Sequence, residues 1–398
     1  MIDFLLILTY NFDITARRKN VMIVKTPPMG WNSWNTFGPN INEELIRTTA
    51  DAMVENGLLE AGYNYLVIDD CWSLKERDEN GRLVADPVKF PSGMKAVADY
   101  VHSKGLKFGM YSCAGTRTCA DYPGSFDHEY VDAETFAEWG VDFLKYDFCF
   151  RPLYVPGHLL YKKMGLALAN SGRDILFSAC SWGHSETHKW IKNTGAHMWR
   201  STGDINDSWA SIRDLTVHQL SIWDYNGAGC FNDMDMLVVG MNGKGNVAVT
   251  GCTFEEYKTH FSIWALFNSP LMIGCDIRDM TEETKTILLN KEVIAINQDP
   301  ACRQPYVAEG DNWWSGRVYM IAKHLDNGDI AIGAFNLGDN AEWPCFQLDS
   351  IGLGYCTNKK LVWKELWTGE TGECVDVMRF PNLPPHGCRL FRCKIVDA

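Results

Sequence analysis

The chain lacks a hydrophobic run long enough to form a membrane-spanning helix. Phe4-Leu5-Leu6-Ile7-Leu8, near the start, is far shorter than the roughly 20 residues a spanning helix needs. No basic region precedes it and no convincing small-residue cleavage site follows, so a secretory signal is not expected. No Lys/Arg run longer than Arg17-Arg18-Lys19 is present, and the formal net charge is −13. That balance argues against nucleic acid as a partner. No Cys-x-x-Cys or Cys/His spacing suggests a zinc site. The 14 cysteines are not the framework of a small disulfide protein, because a chain of this length buries a core without staples. A thiol-rich cytoplasmic protein is the simpler expectation.

What is present is the composition of a soluble globular protein: 46% apolar and 22% charged over 398 residues. That length allows one large domain and a small one. The 15 Trp hint weakly at sugar stacking, although Trp is more often core. Residues 1–21 differ in character from the rest of the chain. They read as an N-terminal extension, with Met22 as a second candidate start.

From about residue 27 to 300, strand-like and helix-like segments alternate. Gly30–Trp34, Tyr65–Ile68, Lys107–Tyr111, Phe143–Asp147, Ile175–Ser178, His197–Arg200, Phe231–Asp235 and Leu271–Gly274 read as strands. Asn42-Glu43-Glu44 opens a helix, and Met94, Val97, Ala98 and Val101 form the stripe of another. Asp132 is expected to cap a third, and Thr253 to Glu256 is a capping-box pattern. Eight strand–helix units predict an α/β fold of the (β/α)8 TIM-barrel type over residues 22–302. A doubly wound sheet is the alternative, but no Gly-rich phosphate loop follows the first strand. Beyond Pro300, short strands and the turn signal Asp326-Asn327-Gly328 predict an antiparallel β domain over residues 303–398.

In a barrel, side chains at the C-terminal ends of the strands converge on one mouth. Trp34, Asp69, Asp70, Tyr111, Lys145, Asp147, Ser181, Arg200, Asp204 and Asp235 fall at such ends. Five carboxylates among them suggest a pocket for a polyol, since carboxylates accept hydrogen bonds from hydroxyls while Lys and Arg donate. A metal cluster is the competing reading. Lys145 and Arg200 in the same mouth oppose a cation, so no metal is expected. Asp147 follows Lys145 by two residues, on the same strand face, and Asp204 follows Arg200 by four. Two carboxylates, each beside a cation, suit a glycosidase: one ionised nucleophile and one proton donor. For two arbitrary acids, surface ion pairs would be the preferred reading; the polar residues gathered around these two overturn it.

Thr26-Pro27-Pro28-Met29-Gly30-Trp31-Asn32-Ser33-Trp34, Ile68-Asp69-Asp70-Cys71-Trp72, Leu144-Lys145-Tyr146-Asp147 and Asn232-Asp233-Met234-Asp235-Met236 resemble the signatures of glycoside hydrolase family 27. That family holds α-galactosidases (melibiases) and α-N-acetylgalactosaminidases. The likeness runs from Pro27 to the C-terminus. It implies a barrel followed by an antiparallel β-sandwich and a retaining exo-α-galactosidase, acting on a galactose-containing glycan without a cofactor. It makes Asp147 the nucleophile and Asp204 the acid/base. Asp69 and Asp70 would hold O4 and O6, Lys145 the O3/O4 side, and Arg200 the C2 substituent. Trp34, Tyr111, Cys149, Asp235 and Met236 would line the pocket.

The chain departs from the family pattern at three places. Ser181 stands where many α-galactosidases have Glu or Asn, and would leave room for an acetamide at C2. That keeps an α-N-acetylgalactosaminidase as the alternative, with His184 refilling the space. A β-L-arabinopyranosidase or a non-catalytic glycan-binding protein is less well supported. Most of the secreted relatives' disulfides are absent, leaving Cys119 and Cys149 as the pair the resemblance suggests, free if the compartment is reducing. The loop Phe150–Pro156 is unusual, which leaves the aglycone preference open. The oligomeric state, a homo-oligomer included, is open as well.

Overall fold

Along each of the first eight strands, alternate side chains face two different layers. The strands are β1 (Met29–Asn32), β2 (Tyr65–Val67), β3 (Lys107–Cys113), β4 (Phe143–Asp147), β5 (Leu176–Ala179), β6 (Met198–Arg200), β7 (Phe231–Asp233) and β8 (Leu271–Ile273). Leu66, Leu144, Tyr146, Phe177, Trp199 and Ile273 pack outward in one large core with the helices. Tyr65, Val67, Phe143, Leu176, Met198, Phe231 and Met272 form a separate inner core, plugged by Val24 and Cys302. This is the period of two expected of strands buried on both faces. The computed structural model describes residues 23–310, 317–354, 357–380 and 382–398. The expected extension 1–21, with its Phe4–Leu8 run, and Met22 lie outside the described residues.

The eight strands are parallel, in the order β7, β6, β5, β4, β3, β2, β1, β8. A parallel bridge between Leu237 and Ile273 joins the segment after β7 to β8 and completes the ring. Strands β1 and β2 approach so closely that a Cβ on Gly30 would lie 2.3 Å from the Tyr65 carbonyl oxygen, so only glycine fits there. The helix Glu43–Glu55 starts as expected, with the Asn42 side chain accepting from Leu45 N–H. The stripe Met94, Val97, Ala98, Val101 is buried on the helix Gly93–Ser103. Thr253 and Glu256 form a full capping box at the helix Phe254–Leu266.

Three expectations are corrected. The helix containing Asp132 starts earlier, at Glu129–Trp139, with His128 at its N-cap. Asp132 is instead a fully buried acceptor of two hydrogen bonds from Arg77, at 2.6 and 2.8 Å. The β5–β6 crossover holds no α-helix; two 3₁₀ segments, His184–Lys189 and Ile191–Asn193, span it. Trp34 does not end β1 but begins a four-residue helix, Trp34–Phe37.

The C-terminal part is antiparallel throughout. Its strands are β9 (Tyr306–Gly310), β10 (Val318–His324), β11 (Ile330–Asn336), β12 (Cys345–Gln347), β13 (Lys359–Glu365), β14 (Thr371–Cys374), β15 (Val377–Arg379) and β16 (Cys388–Asp397). Six form a sheet ordered β14, β13, β16, β11, β10, β9, and β12 pairs with β15. The turn at Asp326–Gly328 joins β10 to β11, which pair from Val318–Asn336 to His324–Ile330. Met320, Ala322, Ile330, Ile332 and Phe391 point towards Phe346 and Met378 of the small sheet. Ile321, Ala331, Phe335 and Leu390 point the other way, into the barrel's helical core. Lys323, on that second face and fully buried, donates to the barrel's Asn268 Oδ1 and Ile296 carbonyl. Among the described residues no helix is long and apolar enough to cross a membrane.

Candidate active site

The inner face of the barrel turns from apolar to polar towards the C-terminal ends of its strands. Above Tyr65 and Val67 comes Asp69; above Phe143 come Lys145 and Asp147; above Met198 comes Arg200. Two-residue spacing alone puts each polar group directly over an apolar one. A cavity of about 130 Å³ opens there, lined by Trp34, Asn35, Asp69, Asp70, Tyr111, Cys119, Lys145, Asp147, Trp182, Arg200, Asp204, Ile205, Asp235, Met236 and Val247. Sites for drug-sized ligands measure about 300–1,000 Å³, so this one suits a single sugar ring.

Asp69 is the best anchored carboxylate. Its Oδ2 accepts from Asn32 Nδ2 and from Lys145 Nζ, both at 2.8 Å, and its backbone N–H donates to Ser33 Oγ at 3.0 Å. The Lys145–Asp69 pair is largely buried; removing one partner of such a pair typically costs about 3–5 kcal/mol. Burial works against the Lys145 charge, but Asp69 and Asp147 outweigh it and hold the ammonium above its ordinary pKa. Asp70 accepts from the backbone of Cys71 at 2.7 Å and of Ala120 at 3.0 Å. Burial still raises its pKa.

Asp147 accepts from Phe148 N–H at 2.9 Å and from the Tyr111 hydroxyl at 3.1 Å. Burial pushes its carboxyl up to about 6, against the pull of Lys145. Asp204 differs in every respect. Its side chain is 75% exposed and takes a 2.9 Å bond from Arg200 Nη2. Against the cost of partial desolvation, Arg200 and then Lys145 hold its pKa below the usual carboxylate value. Arg200 also reaches Asp235 at 3.1 Å and the carbonyls of Gly203 and Thr202 at 2.6 and 3.3 Å. Asp235 is fixed by Ile205 N–H at 2.7 Å. Burial raises the pKa of Asp235, and pushes that of its neighbour Asp233 up to about 7.

Ten of the twelve expected residues therefore meet in one cavity. Ser181 does not: it is fully buried, and its hydroxyl bonds the Thr187 hydroxyl at 2.7 Å. It continues the outward phase of Phe177 and Ala179 on β5, so it lies behind the wall, and Trp182 takes the lining position. Cys149 forms a disulfide with Cys119, whose Cα is 5.2 Å away; Cys119 is the partner that lines the cavity. Both sulfurs lie within 4.8 Å of an Asp147 carboxylate oxygen. Of the lining residues that sequence reasoning missed, Asn35 and Ile205 adjoin expected ones and Trp182 follows Ser181. Val247, from the long β7–β8 connection, carried no signal.

A (β/α)8 barrel whose mouth holds two carboxylates of unlike ionisation among hydroxyl-binding groups has the construction of a glycoside hydrolase. A family model described as "Alpha galactosidase A" matches residues 26–299, and "Alpha galactosidase C-terminal beta sandwich domain" matches residues 315–393. The chain belongs to this α-galactosidase family. It is 54% identical to an α-galactosidase of Coffea arabica, over 92% of this chain and 93% of that one. Against α-galactosidase A of Cellvibrio japonicus the identity is 43%, over 95% and 94%. The crystal structure of α-galactosidase I from Mortierella vinacea superposes with a TM-score of 0.87 at 34% identity, covering 96% of this chain and 99% of that one.

Proposed function

We propose that this enzyme removes terminal α-galactosyl residues from oligosaccharides or glycoconjugates with retention of configuration. The observation that carries the reading is the placement of Asp147 and Asp204 in one ring-sized cavity with Asp69, Asp70 and Lys145. Asp69 and Asp70 accept from the O4 and O6 hydroxyls, Lys145 donates to the O3/O4 side, and Arg200 meets the C2 hydroxyl. Asp147 attacks the anomeric carbon as the glycosidic C–O bond breaks, and Asp204 gives its proton to the leaving oxygen. Asp204 then takes a proton from water, which attacks the same carbon and frees Asp147. Proton NMR of the first product from an α-galactoside, read before mutarotation, tests this. The α-anomer is expected, and an initial β-anomer would replace double displacement by direct attack of water.

The ionisation of the free site predicts a pH profile. The productive form needs Asp147 ionised and Asp204 protonated. In the empty cavity the single proton prefers Asp147, pushed up to about 6, over Asp204, which is held low. Both arrangements carry one proton, so the productive one is a fixed minor share of the singly protonated pair. As pH rises through about 6 the pair loses that proton, and kcat/KM falls. At low pH both carboxyls are protonated and it falls again. A kcat/KM that stays flat well into the alkaline range would contradict this sharing. Substrate tips the balance the right way: a C2 hydroxyl draws Arg200 from Asp204, and the leaving group covers Asp204, both raising its pKa.

A further inference from the structure

The cavity has room for about one sugar ring, so a leaving group beyond that ring lies across the rim. The loop that follows β4, on the end of the barrel that holds the cavity, exposes apolar side chains. The loop leaving β4 makes a tight turn closed by Val155 N–H donating to the Pro152 carbonyl at 3.1 Å. The two central residues of that turn are Leu153 and Tyr154, 87% and 82% exposed. Gly, Asn, Asp and Ser are the usual occupants of such positions. Neither side chain joins a hydrophobic core, so burial does not explain them. Phe150 in the same loop is 49% exposed. The turn is stiffened by Pro152 and by Pro156, which caps the next helix.

The loop borders the cavity: Cys149, next to Phe150, is bonded to Cys119, which lines it. Phe148, at the start of the loop, packs edge-on against Trp182 with ring centres 6.4 Å apart, and Trp182 lines the cavity. In the barrel β5 lies between β4 and β6. The Trp182 loop therefore stands between the Leu153–Tyr154 turn and Asp204, the residue set to protonate the glycosidic oxygen. The loops after β4, β5 and β6 open on the same end of the barrel, the end that holds the cavity.

We infer that Leu153 and Tyr154, with Phe150, form a platform for the sugar ring of the leaving group, so that the enzyme favours galactosyl oligosaccharides over simple galactosides. A pyranose has an apolar C–H face to lie on an aromatic or leucine side chain and hydroxyls to accept hydrogen bonds. Both kinds of partner are present. The Arg151 guanidinium lies 4.3 Å from the Phe148 ring centre and that of Arg117 lies 4.3 Å from Phe150. Cations interleaved in this way suit a sugar better than an alkyl chain. Because the turn is rigid, little order is lost on binding. Contact with a remote ring can then lower the barrier of the reaction itself.

The inference rests on the α-galactosidase reading, and the experiment separates the two. The wild type, Tyr154→Ala and Leu153→Ala are assayed on methyl α-galactoside, octyl α-galactoside and melibiose, in which the leaving group is glucose. Both side chains are exposed, so the variants keep the fold. Tyr154→Ala is expected to lower kcat/KM on melibiose roughly three- to tenfold, the scale of one lost aromatic contact. On methyl α-galactoside, which has no second ring, the change is expected to stay below about twofold. Equal effects on these two substrates would overturn the platform. A larger loss on the octyl substrate than on melibiose would assign the surface to apolar leaving groups and overturn the sugar assignment. A wild type inactive on all three would sink the α-galactosidase reading instead.

Discussion

Replacing Asp147 with alanine is expected to lower turnover of every α-galactoside by about 10⁴-fold or more, the scale seen when a nucleophile is removed. No other carboxylate can substitute. Asp69 is held by Asn32 and Lys145, Asp70 by the Cys71 and Ala120 backbone, Asp235 by Ile205 and Arg200, and Asp204 is the proposed proton donor. The fold is expected to survive. The loss leaves the Tyr111 hydroxyl and the Phe148 N–H without their acceptor, about 1–3 kcal/mol for each buried group, and Lys145 keeps its bond to Asp69. The variant should therefore melt cooperatively, somewhat below the wild type. Azide is small enough to enter the vacated space and attack from the same side. It should restore part of the turnover of an activated aryl α-galactoside and yield the β-galactosyl azide. Wild-type turnover in the purified variant would remove Asp147 from the mechanism.

The barrel was legible because its signals are local. Each strand is a short apolar run, and where a strand carries polar groups, as in Phe143-Leu144-Lys145-Tyr146-Asp147, the period of two assigns them to the inner face. Lys145 and Asp147 can therefore be placed together from the sequence alone. Legibility fails where the chain leaves the ladder, because alternation no longer fixes direction. Ser181 lies two residues beyond β5 and keeps the outward phase. Trp182 turns inward on left-handed backbone, φ 55°. Asp235 is expected in the cavity as the end of a longer strand; it does reach the cavity, but two residues past β7 and at φ 78°. Such conformations cost a non-glycine residue on the order of 1–3 kcal/mol, and no propensity predicts them. The β5–β6 crossover resists reading for the same reason: Ser185 and Glu186 take φ of 57° and 52° inside what the sequence offers as a helix.

The Asp204→Ala variant should show the opposite dependence on the leaving group. A general acid contributes roughly 100- to 10,000-fold where the leaving oxygen needs a proton. A loss of that size is expected on melibiose or methyl α-galactoside. With a dinitrophenyl α-galactoside the departing phenolate needs no proton, so formation of the glycosyl-enzyme is spared. Its hydrolysis is not spared, because in the proposed mechanism Asp204 also serves as the base. A burst of phenolate followed by slow turnover should result, and the trapped intermediate should be visible by mass spectrometry on the peptide carrying Asp147. The change is local: Asp204 is 75% exposed, and Arg200 keeps Asp235 and two backbone carbonyls. The alkaline fall in kcat/KM should disappear with this substrate, since no proton donor is needed. Azide again discriminates. Here it attacks the β-linked intermediate and gives the α-galactosyl azide, the opposite anomer to the one from Asp147→Ala. Equal losses on both leaving groups, or the same azide from both variants, would show that Asp204 only binds sugar and that the proton comes from elsewhere in the cavity.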